Sequence, residues 1–99
     1  MLGHEYDYVI IGAGSAGCVL AKRLGENPAL RILVLESGPP DASWTIGMPS
    51  AVGIGVGGSP FNWSYTSEPE PGLDGRRIGT PRGRTLGGSS SIIGMVYIR

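Results

Sequence analysis

Gly12, Gly14 and Gly17, in the run Gly12-Ala13-Gly14-Ser15-Ala16-Gly17, are spaced to bring backbone N–H groups against phosphate. Gly12 suits a tight turn, Gly14 lets the main chain approach a pyrophosphate, and Gly17 lets a helix pack closely on a strand. Ser15 and Ala16 fall in the first helical turn, where unpaired N–H groups and the positive helix end attract anions. Glu36 follows 24 residues after Gly12, near the roughly 20-residue spacing of a carboxylate that accepts from ribose hydroxyls. Its charge repels a 2′-phosphate, which speaks against NADP and leaves the second half of the dinucleotide open. The plain alternatives are a glycine-rich turn without ligand and a solvated strand-end glutamate.

A second glycine-rich element runs Arg82-Gly83-Arg84-Thr85-Leu86-Gly87-Gly88-Ser89-Ser90-Ser91. Paired glycines before serines suit a backbone that hugs a ligand at a helix start. A flexible surface loop with Arg82 and Arg84 in solvent is the competing reading.

Both elements need a frame. Residues 6–11 are rich in aromatic and β-branched side chains and end at glycine, as a short buried parallel strand does. Residues 15–24 open on small side chains and continue with Val19, Leu20 and Leu24 opposite Lys22-Arg23, giving a helix with one apolar face. Asn27-Pro28 ends it, and the apolar run 31–35 closes on Glu36. Strand, helix and strand within about 30 residues make a right-handed βαβ unit. Residues 41–60 read as an extended, glycine-rich excursion anchored by Trp44, Ile46 and Met48. Residues 63–66 read as a short strand that the turn Leu73-Asp74-Gly75-Arg76 joins to Arg77-Ile78 as a hairpin. Ser89 or Ser90 is placed to cap a helix or tight turn leading into Ile92, Ile93, Met95 and Val96. The predicted fold class is α/β: a partial Rossmann-like βαβ unit with glycine-rich loops and a short hairpin.

The bulk properties remove other functions. Eight basic and eight acidic residues cancel over 99 residues, so no global field recruits nucleic acid or an anionic membrane. The single cysteine, Cys18, excludes an internal disulfide framework and a multi-thiolate zinc site. It is expected to be buried packing on the helix and not a nucleophile. The apolar stretch 8–21 is too short and too glycine-broken to span a membrane. Glu5 and Asp7 stand where a secretory signal carries lysine or arginine, so a cytoplasmic place is expected, with association at the periphery of an inner membrane left open. Asn62-Trp63-Ser64 fits a glycosylation sequon by a pattern common enough to arise by chance. Trp63 and Tyr65 are candidates either for shielding a cofactor or for ordinary packing.

Taken together, these pieces resemble the N-terminal part of the glucose-methanol-choline oxidoreductases, a family of FAD enzymes, over nearly the whole chain. The resemblance rests on residues 7–18, on Leu35-Glu36-Ser37-Gly38, and on residues 81–92 continuing through Gly94-Met95-Val96-Tyr97-Ile98-Arg99. The segments 62–65, 67–71 and 76–78 look most like bacterial choline dehydrogenases and related alcohol dehydrogenases. By that resemblance the 99 residues are the N-terminal portion of an FAD-binding domain. Gly12, Gly14, Ser15, Ala16, Gly17, Glu36 and Ser37 would hold the ADP half. Arg84, Leu86, Gly87, Gly88, Ser89, Ile93, Gly94, Met95 and Val96 would lie along the pyrophosphate, ribityl chain and flavin.

The resemblance also has departures. Some members bind FAD covalently through a histidine whose position corresponds to Ile92, so a noncovalent flavin is implied. The adjacent asparagine of the signature is replaced by Ile93, which neither donates nor accepts a hydrogen bond. Family members carry a substrate domain and a catalytic histidine that this chain lacks. His4 is expected to be an exposed terminal residue, no catalytic residue is assigned, and no metal site is expected. The implied activity is hydride transfer from choline or a related primary alcohol to flavin N5 in a larger protein. The other readings are a stand-alone NAD or nucleotide module and a truncated product that does not fold. Exposed strand faces would favour either the missing remainder as a separate polypeptide or self-association.

Overall fold

Two parallel strands organise the computed structural model, which describes residues 3, 5–51, 53 and 59–93. β1 (Tyr8–Ile11) and β2 (Ile32–Leu35) pair with Val9 opposite Leu33 and Ile11 opposite Leu35. β1 starts two residues later than its apolar run because Asp7 serves the neighbouring strand's entry. Its carboxylate accepts the Arg31 N–H at 2.7 Å, while its own N–H donates to the Arg31 carbonyl at 2.8 Å. The connection is α1 (Ser15–Gly25), with Lys22 and Arg23 in its last turn, where cations offset the negative helix end. Asn27 closes the helix by accepting the Ala29 N–H on its side-chain oxygen at 3.0 Å.

α1 covers only one sheet face. Ile10 points into it and is 8% exposed, whereas Val9, Ile11 and Leu35 on the other face are open, Ile11 at 86%. Parallel sheets are ordinarily covered on both sides. Among the described residues the buried apolar set is Ile10, Ala13 and Ala51. The radius of gyration, 17.2 Å, exceeds the roughly 13 Å of a compact chain of this length. No helix among the described residues is long and apolar enough to cross a membrane.

The excursion after β2 is not extended at its start. Residues 44–47 form a short helix, α2 (Trp44–Gly47), entered through Ser43, whose hydroxyl accepts the Thr45 N–H at 3.3 Å. A 3₁₀ turn, Pro49–Ala51, follows. This overturns the expected anchors. Positions two apart share a side only on a strand, so coiling splays Trp44 and Met48 into solvent and leaves Ile46 half-buried, while Ala51 is buried.

The hairpin forms, with its second strand shifted. β3 (Tyr65–Thr66) pairs antiparallel with β4 (Gly79–Thr80), Tyr65 opposite Thr80. The same register continues to an Asn62–Gly83 bridge, across a kink at Ser64, which has φ 54°. The Asn62 side-chain oxygen holds that kink by accepting the Ser64 and Arg82 N–H groups at 3.0 and 2.9 Å. Arg77-Ile78 lies just past β4, where the Ile78 carbonyl still accepts the Ser67 N–H at 2.8 Å but the Ser67 carbonyl accepts from the Arg77 side chain. Ile78 donates instead to the Ser67 hydroxyl at 3.0 Å. The closing turn follows the 3₁₀ segment Pro71–Leu73, with Asp74 and Gly75 both left-handed.

Thr85 joins the two halves. It is completely buried, and its hydroxyl donates to the Pro39 carbonyl at 2.7 Å. Thr85→Val keeps the shape and removes that bond, so chemical denaturation should show an unfolding free energy lower by about 1–2 kcal/mol. An unchanged denaturation midpoint would mean the bond contributes nothing net.

Candidate dinucleotide-binding site

The glycine-rich loop from Gly12 to Gly17 is built as its residue types require. Gly12 has φ +95°, the left-handed region in which a side chain is strained. A Cβ on Gly17 would run into the Gly12 carbonyl oxygen, so only glycine lets α1 sit this close to β1. Gly14 caps α1 without a side-chain hydrogen bond, and no acidic residue stands in the first turn. The first N–H groups of a helix have no intrahelical acceptor. Here no side chain competes with an anion for them.

Ala13 is the pinned residue of this loop. Its N–H donates to Glu36 Oε2 at 2.8 Å, and its carbonyl accepts the Gly87 N–H at 2.7 Å and the Cys18 thiol at 3.3 Å. Glu36 Oε1 accepts the Gly38 N–H at 2.9 Å. Donation by Ala13, then by Gly38, holds the Glu36 carboxyl below its ordinary value; Ser37 and the charge of Arg84 act in the same direction, and partial burial opposes them. A carboxylate offers about four acceptor positions, so Glu36 keeps acceptor capacity toward the cleft it lines.

The second glycine-rich element docks on the first. Gly87 and Gly88 are left-handed, and a Cβ on Gly88 would come within 2.8 Å of the Gly14 Cα. Residues 88–91 form a 3₁₀ turn whose cap is Gly87, with no side-chain cap. The expected serine cap is displaced because the serines already lie inside the turn, where Ser90 and Ser91 donate back to the carbonyls of Gly87 and Leu86.

A cleft of about 800 Å³ opens between these loops and the hairpin. Of the residues singled out from sequence, Gly12, Gly14, Ser15, Glu36, Ser37, Gly88 and Ser89 line it. Ala16, Gly17, Arg84, Leu86 and Gly87 do not. Ile93 lines a second, smaller cavity of about 270 Å³ with Pro81, Arg82, Ser89 and Ile92. Gly94, Met95, Val96 and His4 lie outside the described residues. Arg82 and Ser89 border both cavities.

Trp63 and Tyr65, which the sequence offers either as a cofactor shield or as ordinary packing, are among the other residues of the cleft. Ile11, Leu35 and Gly83 line it as well, and Trp63 and Tyr65 stack with centroids 5.9 Å apart and planes 4° from parallel. The Arg84 guanidinium lies over Trp63, 5.1 Å from its ring centroid. Cys18, expected to be buried, is exposed. Val19 and Leu20 beside it are also open, at 60% and 51%, because no described element packs over that side of α1.

Comparison with known proteins agrees with this geometry. The family model described as GMC oxidoreductase matches residues 6–99. The mitochondrial choline dehydrogenase of Homo sapiens is 53% identical over 102 residues, covering 96% of this chain and 17% of that protein. The crystal structure of pyridoxine 4-oxidase from Mesorbium loti superposes with a TM-score of 0.88 at 41% identity, covering 96% of this chain and 18% of that one. An FAD-dependent oxidoreductase from Chaetomium thermophilum superposes with a TM-score of 0.78 at 34% identity, over 96% of this chain and 16% of its own. The chain thus spans about a sixth of the relatives it matches. Its uncapped helix start and the carboxylate at the end of β2 fit FAD, on which the Chaetomium thermophilum oxidoreductase depends, and the chain belongs to the GMC oxidoreductase family as an N-terminal FAD-binding part.

Proposed function

We propose that this chain is the N-terminal portion of the FAD-binding domain of a dehydrogenase that oxidises choline or a related primary alcohol, and that it holds FAD noncovalently. One observation carries the reading: the free N–H groups opening α1 and the Glu36 carboxylate face one cleft, as a pyrophosphate and its ribose require. The first turn of α1 takes the pyrophosphate, Glu36 accepts from the ribose hydroxyls, and Gly88 and Ser89 border the path toward the flavin. Ile92 and Ile93, at the far cavity, offer a hydrocarbon surface with no nucleophile for a covalent link. When bound, the flavin supplies the two-electron acceptor for an alcohol carbon. The base that takes the hydroxyl proton lies outside residues 1–99 in this reading, with the substrate domain. The 53% identity to choline dehydrogenase over 96% of this chain favours that substrate class.

Titration of the purified chain with FAD should give saturable changes in flavin absorbance and fluorescence, with acid precipitation releasing all the yellow colour. NAD should fail to displace the flavin, and the chain alone should not turn over choline. Tighter binding of NAD than of FAD would replace this reading with an NAD module. Flavin retained on the acid pellet would overturn the noncovalent mode, and measurable turnover would overturn the placement of the base.

A further inference from the structure

Glu36 lines the cleft from the end of β2, and a residue that sets its aim lies outside the cleft. Its Oε1 accepts the Gly38 N–H at 2.9 Å, while Oε2 accepts the Ala13 N–H at 2.8 Å. With one donor on each oxygen, the plane of the carboxylate and the direction of its remaining lone pairs follow from where those two N–H groups stand. Ala13 is held by Gly87. Gly38 is held by the second glycine-rich element. It lacks the left-handed backbone that calls for glycine at Gly12 and Gly87. A Cβ on it would instead fall on the Arg84 carbonyl and the Thr85 nitrogen, which are backbone and cannot swing aside. Glycine serves close approach here. The next residue is gripped by the same segment, because the Pro39 carbonyl accepts the Thr85 hydroxyl at 2.7 Å and the Leu86 N–H at 3.4 Å. The Arg84 N–H in turn donates to the Phe61 carbonyl at 2.7 Å, at the entry to the hairpin. Residues 84–86 therefore hold the turn after β2 in place, and neither they nor Gly38 line the cleft.

We propose that Gly38 is a positioning residue for ribose recognition: residues 84–86, lying on it, fix the peptide N–H that aims the Glu36 carboxylate at the ribose hydroxyls. This rests on the cleft being a dinucleotide site with Glu36 at its ribose. Gly38 lies behind the cleft lining, so it acts on affinity through Glu36 and only for ligands that carry those hydroxyls. A hydrogen bond weakens steeply when its angle is lost. At the lower end of the range for a charged acceptor, such a bond is equivalent to about tenfold in affinity. A ligand with phosphates and no ribose hydroxyls gains nothing from the arrangement.

ADP and 2′,3′-dideoxy-ADP differ only in the ribose hydroxyls, and inorganic pyrophosphate has neither hydroxyls nor base. Calorimetric titration of the parent chain should show ADP binding about tenfold more tightly than dideoxy-ADP. In Gly38→Ala the two affinities should come within about twofold of each other, with that for pyrophosphate unchanged. Because the added Cβ strikes backbone, a second change removes the N–H without adding bulk: glycolic acid in place of Gly38, introduced by semisynthesis, turns the Ser37–Gly38 amide into an ester. The ester chain should lose about tenfold in ADP affinity and nothing for dideoxy-ADP or pyrophosphate. In a Glu36→Gln background the ester should leave the ratio of ADP to dideoxy-ADP affinity where the single variant has it. Full ribose discrimination in the ester chain overturns the positioning role, and so does an equal loss for all three ligands, which is the mark of general damage to the site. If the parent binds FAD and discriminates by the hydroxyls while the ester chain behaves as the parent, this inference falls alone. If the parent shows no discrimination, or binds neither FAD nor ADP, the dinucleotide reading falls with it.

Discussion

Gly14→Val is expected to abolish FAD binding while leaving the fold intact, and Gly17→Ala is expected to damage both. The two glycines are three residues apart in one motif, and what a side chain would meet at each separates them. At Gly14 an added Cβ meets nothing within 4 Å, and the residue lines the cleft. The valine side chain therefore occupies ligand space and no protein space. At least two charge-assisted hydrogen bonds from the start of α1 to phosphate would be lost, each contributing about 1.5–3 kcal/mol, so the affinity should fall by about 100-fold or more. Far-ultraviolet dichroism and the denaturation midpoint should match the parent chain. At Gly17 the added Cβ runs into the Gly12 carbonyl oxygen, which is backbone and cannot swing away. The helix must lift off β1, at a cost of about 1–3 kcal/mol. With so few buried apolar residues in the described chain, that is a large share of the stability available. A Gly17→Ala chain with unchanged melting behaviour would mean that α1 does not need its close approach to β1. A Gly14→Val chain that still binds FAD would move the pyrophosphate away from this loop.

The features legible in the sequence are those whose cause is local. The βαβ unit follows from two β-branched runs, a helix-period segment between them and glycines at fixed spacing, and the structure reproduces it within one or two residues. Glu36 was legible because a carboxylate at a strand end after such a loop has few other reasons to be there. Ala13 was not. An alanine carries no side-chain chemistry, and its importance is that of its peptide group, held by Glu36 on one side and Gly87 on the other. Nothing within ten residues of Ala13 announces either partner.

Arg84 and Trp63 show the same limit from the opposite direction. A cation in a glycine-rich loop reads as a phosphate ligand, yet its side chain goes to an aromatic ring 21 residues earlier in the sequence. That meeting depends on the hairpin register, which brings Asn62 opposite Gly83, and on the kink at Ser64. Both are long-range consequences of pairing. The expected anchors Trp44 and Met48 failed for a related reason: large apolar side chains read as core, but burial needs a surface to pack against, and the coiled segment turns these two away from any.

Glu36 makes the second prediction of large effect, because one carboxylate holds Ala13 and Gly38 and, in the proposed function, also accepts from the ribose. Glu36→Gln has nearly the same shape but only one carbonyl oxygen, and its amide would present N–H to one of the two donors, Ala13 or Gly38, that now share the carboxylate. Hydrogen bonds to a charged acceptor contribute about 1.5–3 kcal/mol each when well shielded. Glu36 is only partly buried, so the lower end applies, and the ribose contact is weakened as well. FAD affinity should fall by about tenfold to 100-fold. The pH dependence identifies the cause. The folded carboxyl titrates below its ordinary value of 4.5, so between the two values the unfolded chain holds the extra proton. The stabilisation by Glu36 is therefore fully present above pH 4.5 and is lost as pH falls through the lower folded value. Denaturation of parent and variant should differ most near neutral pH and converge in that acid window. A difference that stays constant from pH 7 to about 3 would show that the substitution acts through packing, and that the carboxylate charge does not hold the phosphate loop.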